Sequence, residues 1–354
     1  MKILVISLAG IGDTLFATPL IHELRVNFPD ATIDALVLWN GSKDLLESNP
    51  NLNRVHQKNL IHTGKFEAFR FLSSLRRERY DISINTHPQS RMHYRIAARI
   101  VGAPTRISHE YECSNLFDRW LVNRTIPQNY SRHSVENNLA LLSHLPAKQL
   151  LPQHHYEVFL TDADRVWAAD FIARRNLSRR LLLGVHVGSG GTKNLVLRRW
   201  PLENYAGLIR KFNQTRPNVT VLLFGGPEEV QDHEVLLAQT DREQVLQVEA
   251  KNLREAAALL KHCHAFLSVD TALMHLAAAV NVPRQVVIET PTWNKPIEPY
   301  GNPFVLVKNP EVAGGNLRYY RYDGRGIQGS EAELRHCMES VTVENVFDAV
   351  NKLI

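Results

Sequence analysis

KILVISLAGIGDTLFATPLIHELR, residues 2–25, runs an apolar segment into a Gly-Ile-Gly-Asp turn and then into a segment of helical period. Lys2–Leu8 has the continuous apolar character of a strand covered on both faces. Beyond the turn, Phe16, Leu20 and Leu24, with Ala17, Ile21 and Phe28, recur at i, i+4 and predict a helix over residues 14–28. Pro19 falls inside that span and removes a backbone donor, so a bend or a late start is expected. A strand turning at glycines into a helix opens many nucleotide-binding α/β folds, but the dinucleotide fingerprint is broken here. Leu15 stands where the third glycine belongs, and the second strand, Thr32–Leu38, ends in Trp39-Asn40 instead of an acid. A secretory signal is also a poor reading. Asp13 interrupts the apolar run, and no small-residue cleavage site precedes the helix.

Working outward, strand-like and helix-like segments alternate. Tyr80–Asn85 (YDISIN) reads as a further strand, preceded by the amphipathic, basic-faced FEAFRFLSSLRRERY. The segment LPAKQLLPQHHYEV, near residues 145–157, has two prolines and little periodicity and marks an interdomain linker. Alternation then restarts with RRLLLGVHVGS, NVTVLLFGG, AFLSVD and RQVVIET as strands and RWPLENYAGLIRKFNQ, NLREAAALLKHC and TALMHLAAAV as helices. Strands alternating with helices imply an α/β fold with parallel sheets. The 354 residues suffice for two domains. They are placed at 1–155 and 156–340, followed by an amphipathic helix over 341–354.

The composition is that of a soluble globular protein, 44% hydrophobic and 22% charged. No run approaches the ~20 apolar residues needed to span a bilayer. Cys113, Cys263 and Cys337 are widely spaced and odd in number, as expected of reduced thiols in a cytoplasmic protein. The net charge of +5 favours an anionic partner.

Ligands of open parallel sheets bind at the carboxyl ends of the strands, and four loops stand there. In the first, Asp13 is either a helix cap or a general base approached past Gly12. The second, HVGSGGTKNLVLRRWP at 186–201, combines glycines, the hydroxyls of Ser189 and Thr192, and the cations Lys193, Arg198 and Arg199. That mixture suits a diphosphate, although it lacks the P-loop order. In the third, SVDTALMHLAAA, Asp270 and Thr271 cap a helix whose amides face a ligand, and His275 is either a contact or a packed side chain. The fourth, FGGPEE, puts Gly225 and Gly226 beside a nucleoside.

Arg91, Arg95 and Arg99 share a helix face that holds an anionic acceptor, sits on acidic lipid, or is merely solvated. Nucleic acid is not expected, because the aromatic interleaving of single-strand binders is missing. His262-Cys263-His264 lacks a second ligand pair at chelating spacing, so no metal site is expected.

Taken together, KILVISLAGIGDTLFATPLIHELR, HVGSGGT…RRWPLENYAGLIRKF, VLLFGGPEE, SVDTALMHLAAAV and the closing CMESVTVENVFDAVNKLI resemble the heptosyltransferases, glycosyltransferase family 9, over nearly the whole chain. The resemblance implies a GT-B fold: two Rossmann-like parallel-sheet domains facing across a cleft, with the last helix returning to the first. The first domain would take the acceptor and the second the sugar nucleotide. It implies inverting, metal-independent transfer of heptose from ADP-heptose to the inner core of lipopolysaccharide, with no cofactor. The protein would be cytoplasmic, touching the anionic inner face of the membrane where the acceptor is anchored. Asp13 matches the family's catalytic base, and Arg91 and Arg95 fall on the acceptor side. Arg198 takes the lysine position of a K-x-W-P pattern, Thr271 with the amides after Asp270 matches another diphosphate contact, and Asp270 is placed with them among the diphosphate-binding residues. Ser189 and Thr192 correspond to a hydroxyl pair.

Two departures, Arg198 for lysine and TPTWNKPIEPYG with Pro291 and Trp293 after VVIET, keep a different sugar nucleotide for a surface polysaccharide as one alternative. A non-catalytic GT-B binding protein is the other. Retention of Asp13 and a cation at Arg198 speaks against it.

Overall fold

In the computed structural model, which describes residues 1–190 and 195–354, the opening apolar segment is strand β1 (Lys2–Ser7), buried throughout after Lys2. It is central: it pairs in parallel with β2 (Thr32–Val37) on one side and β4 (Ile82–Asn85) on the other. With β3 (Arg54–Gln57), β5 (Thr105–Glu110) and β6 (Arg124–Pro127), the described strands of the first unit form one parallel sheet in the order β3-β2-β1-β4-β5-β6. The expected single helix over 14–28 is two, Ile11–Leu15 and Thr18–Asn27. Pro19 sits in the first turn of the second, where its missing N–H would have had no partner anyway.

The second unit repeats the plan. Its strands are β7 (Leu181–His186), β8 (Val219–Phe224), β9 (Val245–Gln247), β10 (Ala265–Ser268), β11 (Gln285–Ile288) and β12 (Phe304–Val307). They are all parallel, in the order β12-β11-β10-β7-β8-β9. Gly184 in β7 has no room for a side chain, since a Cβ there would lie 2.8 Å from the Phe266 ring. Each sheet is thus a Rossmann-like sheet whose strand order reverses about one point, between β1 and β4 and between β7 and β10. That reversal leaves a crevice at the carboxyl ends of the two strands.

The first unit comprises Met1–Phe159 and Tyr322–Arg325, the second Leu160–Arg321 and Gly326–Ile354. The aperiodic segment expected to be a linker belongs to the first unit. Buried Glu23 accepts from the Leu150 and Leu151 amides at 2.9 Å and from His154 Nε2 at 2.8 Å.

The expectation that the last helix returns to the first domain is corrected. The helix Val343–Asn351 is part of the second unit, where Val346, Phe347 and Val350 join the core of β7 and the helix Leu202–Thr215. Phe347 packs on Phe212 with ring centroids 4.8 Å apart. Its apolar face is satisfied there, at about 1.5–3 kcal/mol per buried large side chain. It is Tyr322 that the first unit holds, stacked 5.8 Å from Tyr130. Its amide donates to the Tyr130 hydroxyl at 2.9 Å.

Candidate active site

In the first unit, Asp13 lies beyond the carboxyl end of β1, in the short helix Ile11–Leu15. Its Oδ2 accepts the Gly10 amide at 2.7 Å, so the capping role is real and also fixes the carboxylate's direction. Gly12, beside it, is buried. The turn is braced from both sides. The Trp39 indole N–H donates to the Ala9 carbonyl at 3.0 Å, at the position where a dinucleotide fold would put its acid. Gln89 ties the ends of β1 and β4 together, its Nε2 donating to the Ile6 carbonyl at 2.5 Å and the Thr86 carbonyl at 2.8 Å. Asp13 makes itself felt at Tyr94, whose phenol is pushed up to about 12. Burial is the main cause and the Asp13 charge the second, with Arg91 opposing.

The arginine stripe divides. Arg91 is the half-buried N-cap of the helix Met92–Val101. Arg95 is 2% exposed and donates through Nε to the buried Asp118 Oδ1 at 2.5 Å, and more weakly to the Gln89 and Ser90 carbonyls. The expected acceptor-side role of Arg95 is therefore corrected: its charge is spent inside the fold. Asp118, 23 residues later, is the partner that spacing could not supply.

In the second unit, the crevice between β7 and β10 gathers Arg198, Asp270, Thr271 and His275, together with Thr292 after β11. Arg198 Nη1 donates to Asp270 Oδ2 at 2.6 Å and to Thr292 Oγ1 at 3.2 Å. Its Nε is buried and has no hydrogen-bond partner among the described residues. Burial pushes the Asp270 carboxyl up, but the Arg198 charge and the bonds from His275 and Arg198 outweigh it and hold the group below the usual range. Asp270 is thus not a direct diphosphate ligand, as the loop pattern suggested. Its carboxylate orients Arg198, and a bare carboxylate would repel a diphosphate. His275 is packed, with Nε2 3.7 Å from Asp270 Oδ1.

Thr271 Oγ1 accepts the Met274 amide at 3.3 Å as N-cap of the helix Ala272–Ala279, which leaves its hydroxyl proton able to donate. Ser189 differs. Its hydroxyl donates to the Leu195 carbonyl at 2.6 Å, so its expected phosphate contact is corrected to closing the loop on itself. Thr192, the other hydroxyl of the expected pair, and Lys193 lie outside the described residues. Arg199 braces rather than binds: it reaches Asp232 at 3.0 Å, Glu229 at 3.3 Å and the Ser189 carbonyl at 3.1 Å.

Gly225 and Gly226 close β8 as expected. A Cβ on Gly225 would lie 2.9 Å from Glu229 Cβ and from His233 Cε1, and the Gly226 amide donates to Glu229 Oε2 at 2.9 Å. Trp293, noted for its unusual place, is 4% exposed and packs against Phe304. Thr292 and Gln89 escaped the sequence reading. Thr292 was findable, since it follows a strand at its carboxyl end. Among the described residues no group of three His, Cys, Asp or Glu side chains is placed to hold a metal ion. Cys263 is buried with its thiol pushed well up, and His264 Nδ1 accepts the Leu182 amide at 3.1 Å.

Histidines buried around these loops predict an acid-sensitive fold. Burial is the main cause that holds His109, His186 and His233 down to about 4. Below their ordinary value of 6.5 the unfolded chain takes up protons that the native protein refuses. Their contribution is complete above pH 6.5 and is lost as pH falls towards about 4, at up to about 3 kcal/mol each. Urea midpoints should therefore drop steadily through this window. A flat profile would contradict it.

Comparison with known proteins gives a consistent picture. Residues 68–319 match the sequence pattern of glycosyltransferase family 9 (heptosyltransferase). The chain is 27% identical over 287 residues to lipopolysaccharide heptosyltransferase 3 of Escherichia coli, covering 77% of this chain and 78% of that one. Lipooligosaccharide heptosyltransferase 2 of Haemophilus influenzae is 26% identical over 370 aligned positions, covering 100% of this chain and 99% of that one. The E. coli structure described as ADP-heptose lps heptosyltransferase II has the same fold, with TM-score 0.69 and 22% identity over 100% of this chain and 98% of that one.

Proposed function

The chain belongs to glycosyltransferase family 9, the heptosyltransferases, and from that membership we propose that it moves heptose from ADP-heptose to the inner core of lipopolysaccharide with inversion. The observation that carries the assignment of the donor side is Arg198, half-buried, aimed by Asp270, and holding a buried Nε donor with no partner among the described residues. A diphosphate oxygen is the acceptor such a guanidinium suits.

In this reading Asp13 removes the proton of the acceptor hydroxyl as its oxygen attacks the anomeric carbon from the face opposite ADP. The bond to ADP breaks, and its growing negative charge is met by Arg198, the Thr271 hydroxyl and the amides of Ala272 and Leu273. No metal is needed for that neutralisation. Asp270 and Thr292 hold the guanidinium in place. Gly225 and Gly226 border the nucleoside, and Arg91 lies on the acceptor side with Asp13. The acceptor is lipid-anchored, so the enzyme works from the cytoplasm at a membrane surface. Among the described residues no helix is long and apolar enough to cross a membrane.

The experiment is a calorimetric panel of ADP, UDP and GDP, with and without EDTA. ADP is expected to bind more tightly than the others, by tenfold or more as an order of magnitude, and equally well in EDTA. Preference for UDP or GDP would point to another sugar nucleotide. Loss of ADP binding in EDTA would overturn the metal-free neutralisation.

A further inference from the structure

Three helices of the first unit pack side by side over one core layer, and their outward arc is unusually apolar. They are Lys65–Leu75, Met92–Val101 and Leu116–Leu121. Leu72 and Leu75 of the first share a buried cluster with Ala97, Ala98 and Val101 of the second and with Val122, which follows the third. The opposite arc would be expected to be polar. It instead presents Phe66 and Phe69, then Ile96, then Leu116, Phe117 and Trp120. Phe66 is 78% exposed, Leu116 81% and Trp120 57%, so these are side chains held out in water rather than core edges.

Cations are interleaved with them. Arg70 and Arg77 follow Phe66 at i+4 and i+11 on the first helical stretch, and both are exposed. Arg119 is exposed on the third helix. The Arg99 guanidinium lies 4.6 Å from the Trp120 ring centroid, and Phe117 stacks on Trp120 at 5.4 Å. Of the acids on these helices, Asp118 is buried with Arg95 and Glu78 is paired with Lys2 and Arg54, while Glu67 is paired with Lys58 and also acts on Arg70.

Large apolar side chains exposed together on neighbouring helices mark an interaction site. Aromatic rings flanked by Arg and Lys match a layer whose interior is apolar and whose surface is anionic, where tryptophan sits at headgroup level and cations meet phosphate. We propose that this face docks on an anionic lipid bilayer, seating the first unit on the membrane. The choice of lipid as occupant rests on the reading that the acceptor is lipid-anchored. The charge complementarity belongs to the face itself. Arg95 has no part in it, being buried, so the docking cations are Arg70, Arg77, Arg99 and Arg119 rather than the sequence stripe.

The test is flotation of the full chain with phosphatidylglycerol/phosphatidylethanolamine vesicles and with phosphatidylcholine vesicles. Wild type is expected to float only with the anionic ones. Phe66→Ser with Trp120→Ser, and separately Arg70→Glu with Arg77→Glu, should each weaken binding about tenfold or more. Both variants should keep the wild-type melting temperature, ADP affinity and turnover on a lipid-free core oligosaccharide. That last readout separates this proposal from the enzymatic one, which could fail while vesicle binding persists. Three results would overturn the docking surface. The first is no flotation of wild type, and the second is flotation indifferent to both double substitutions. The third is a concentration-dependent dimer, abolished by the same changes, without vesicle binding; that would assign the face to a second copy.

Discussion

Asp13→Asn is expected to lower kcat for heptose transfer by about a thousandfold, within the range of 10²–10⁴ usual for a general base, while leaving ADP affinity within about twofold. Asparagine is the informative replacement. Its amide oxygen can still accept the Gly10 N–H that Asp13 Oδ2 now holds at 2.7 Å, so the turn stays capped. What it cannot do is take a proton. Asp13→Ala removes both functions and should cost about 1 kcal/mol of stability beyond the same kinetic loss. If the asparagine enzyme turns over at the wild-type rate, Asp13 is only a cap. The capping reading would then be the whole of its role.

Arg198→Ala should weaken ADP by roughly ten- to a hundredfold, the loss of a charge-assisted hydrogen bond worth about 1.5–3 kcal/mol. It should also destabilise the second unit, by up to about 3–5 kcal/mol, because buried Asp270 loses its guanidinium partner at 2.6 Å and keeps only His275. These effects separate in the double variant Arg198→Ala/Asp270→Asn. Removing the stranded charge should recover most of the stability and none of the affinity. Arg198→Lys should keep part of the affinity, since it preserves charge and loses the planar fork. Arg199 is the control. It is engaged by Glu229 and Asp232, so a larger affinity loss at Arg199→Ala than at Arg198→Ala would reverse the two assignments.

Much of the architecture was legible because buried parallel strands are continuously apolar, as in Lys2–Ser7 and Val219–Phe224. The loops that matter were legible too, since they follow those strands and carry glycine, hydroxyl and charge together. What sequence did not show was which partner each side chain chooses. Arg91, Arg95 and Arg99 share a spacing, but burial turns Arg95 inward to Asp118 and leaves Arg99 over Trp120. Asp270 and Arg198, 72 residues apart, read as two ligands of one diphosphate and prove to be bonded to each other. Ser189 likewise spends its proton on Leu195. The amphipathic face of the last helix was visible, but amphipathicity does not say which core it joins. Phe212 decides that.

The most direct measurement is ADP release by the purified protein given ADP-heptose, with and without a heptose-free lipopolysaccharide core acceptor. Release that depends on the acceptor, with one heptose added to it, is the expected result. No acceptor-dependent release from folded protein that binds ADP would contradict heptose transfer and return the question to which sugar the second unit accepts.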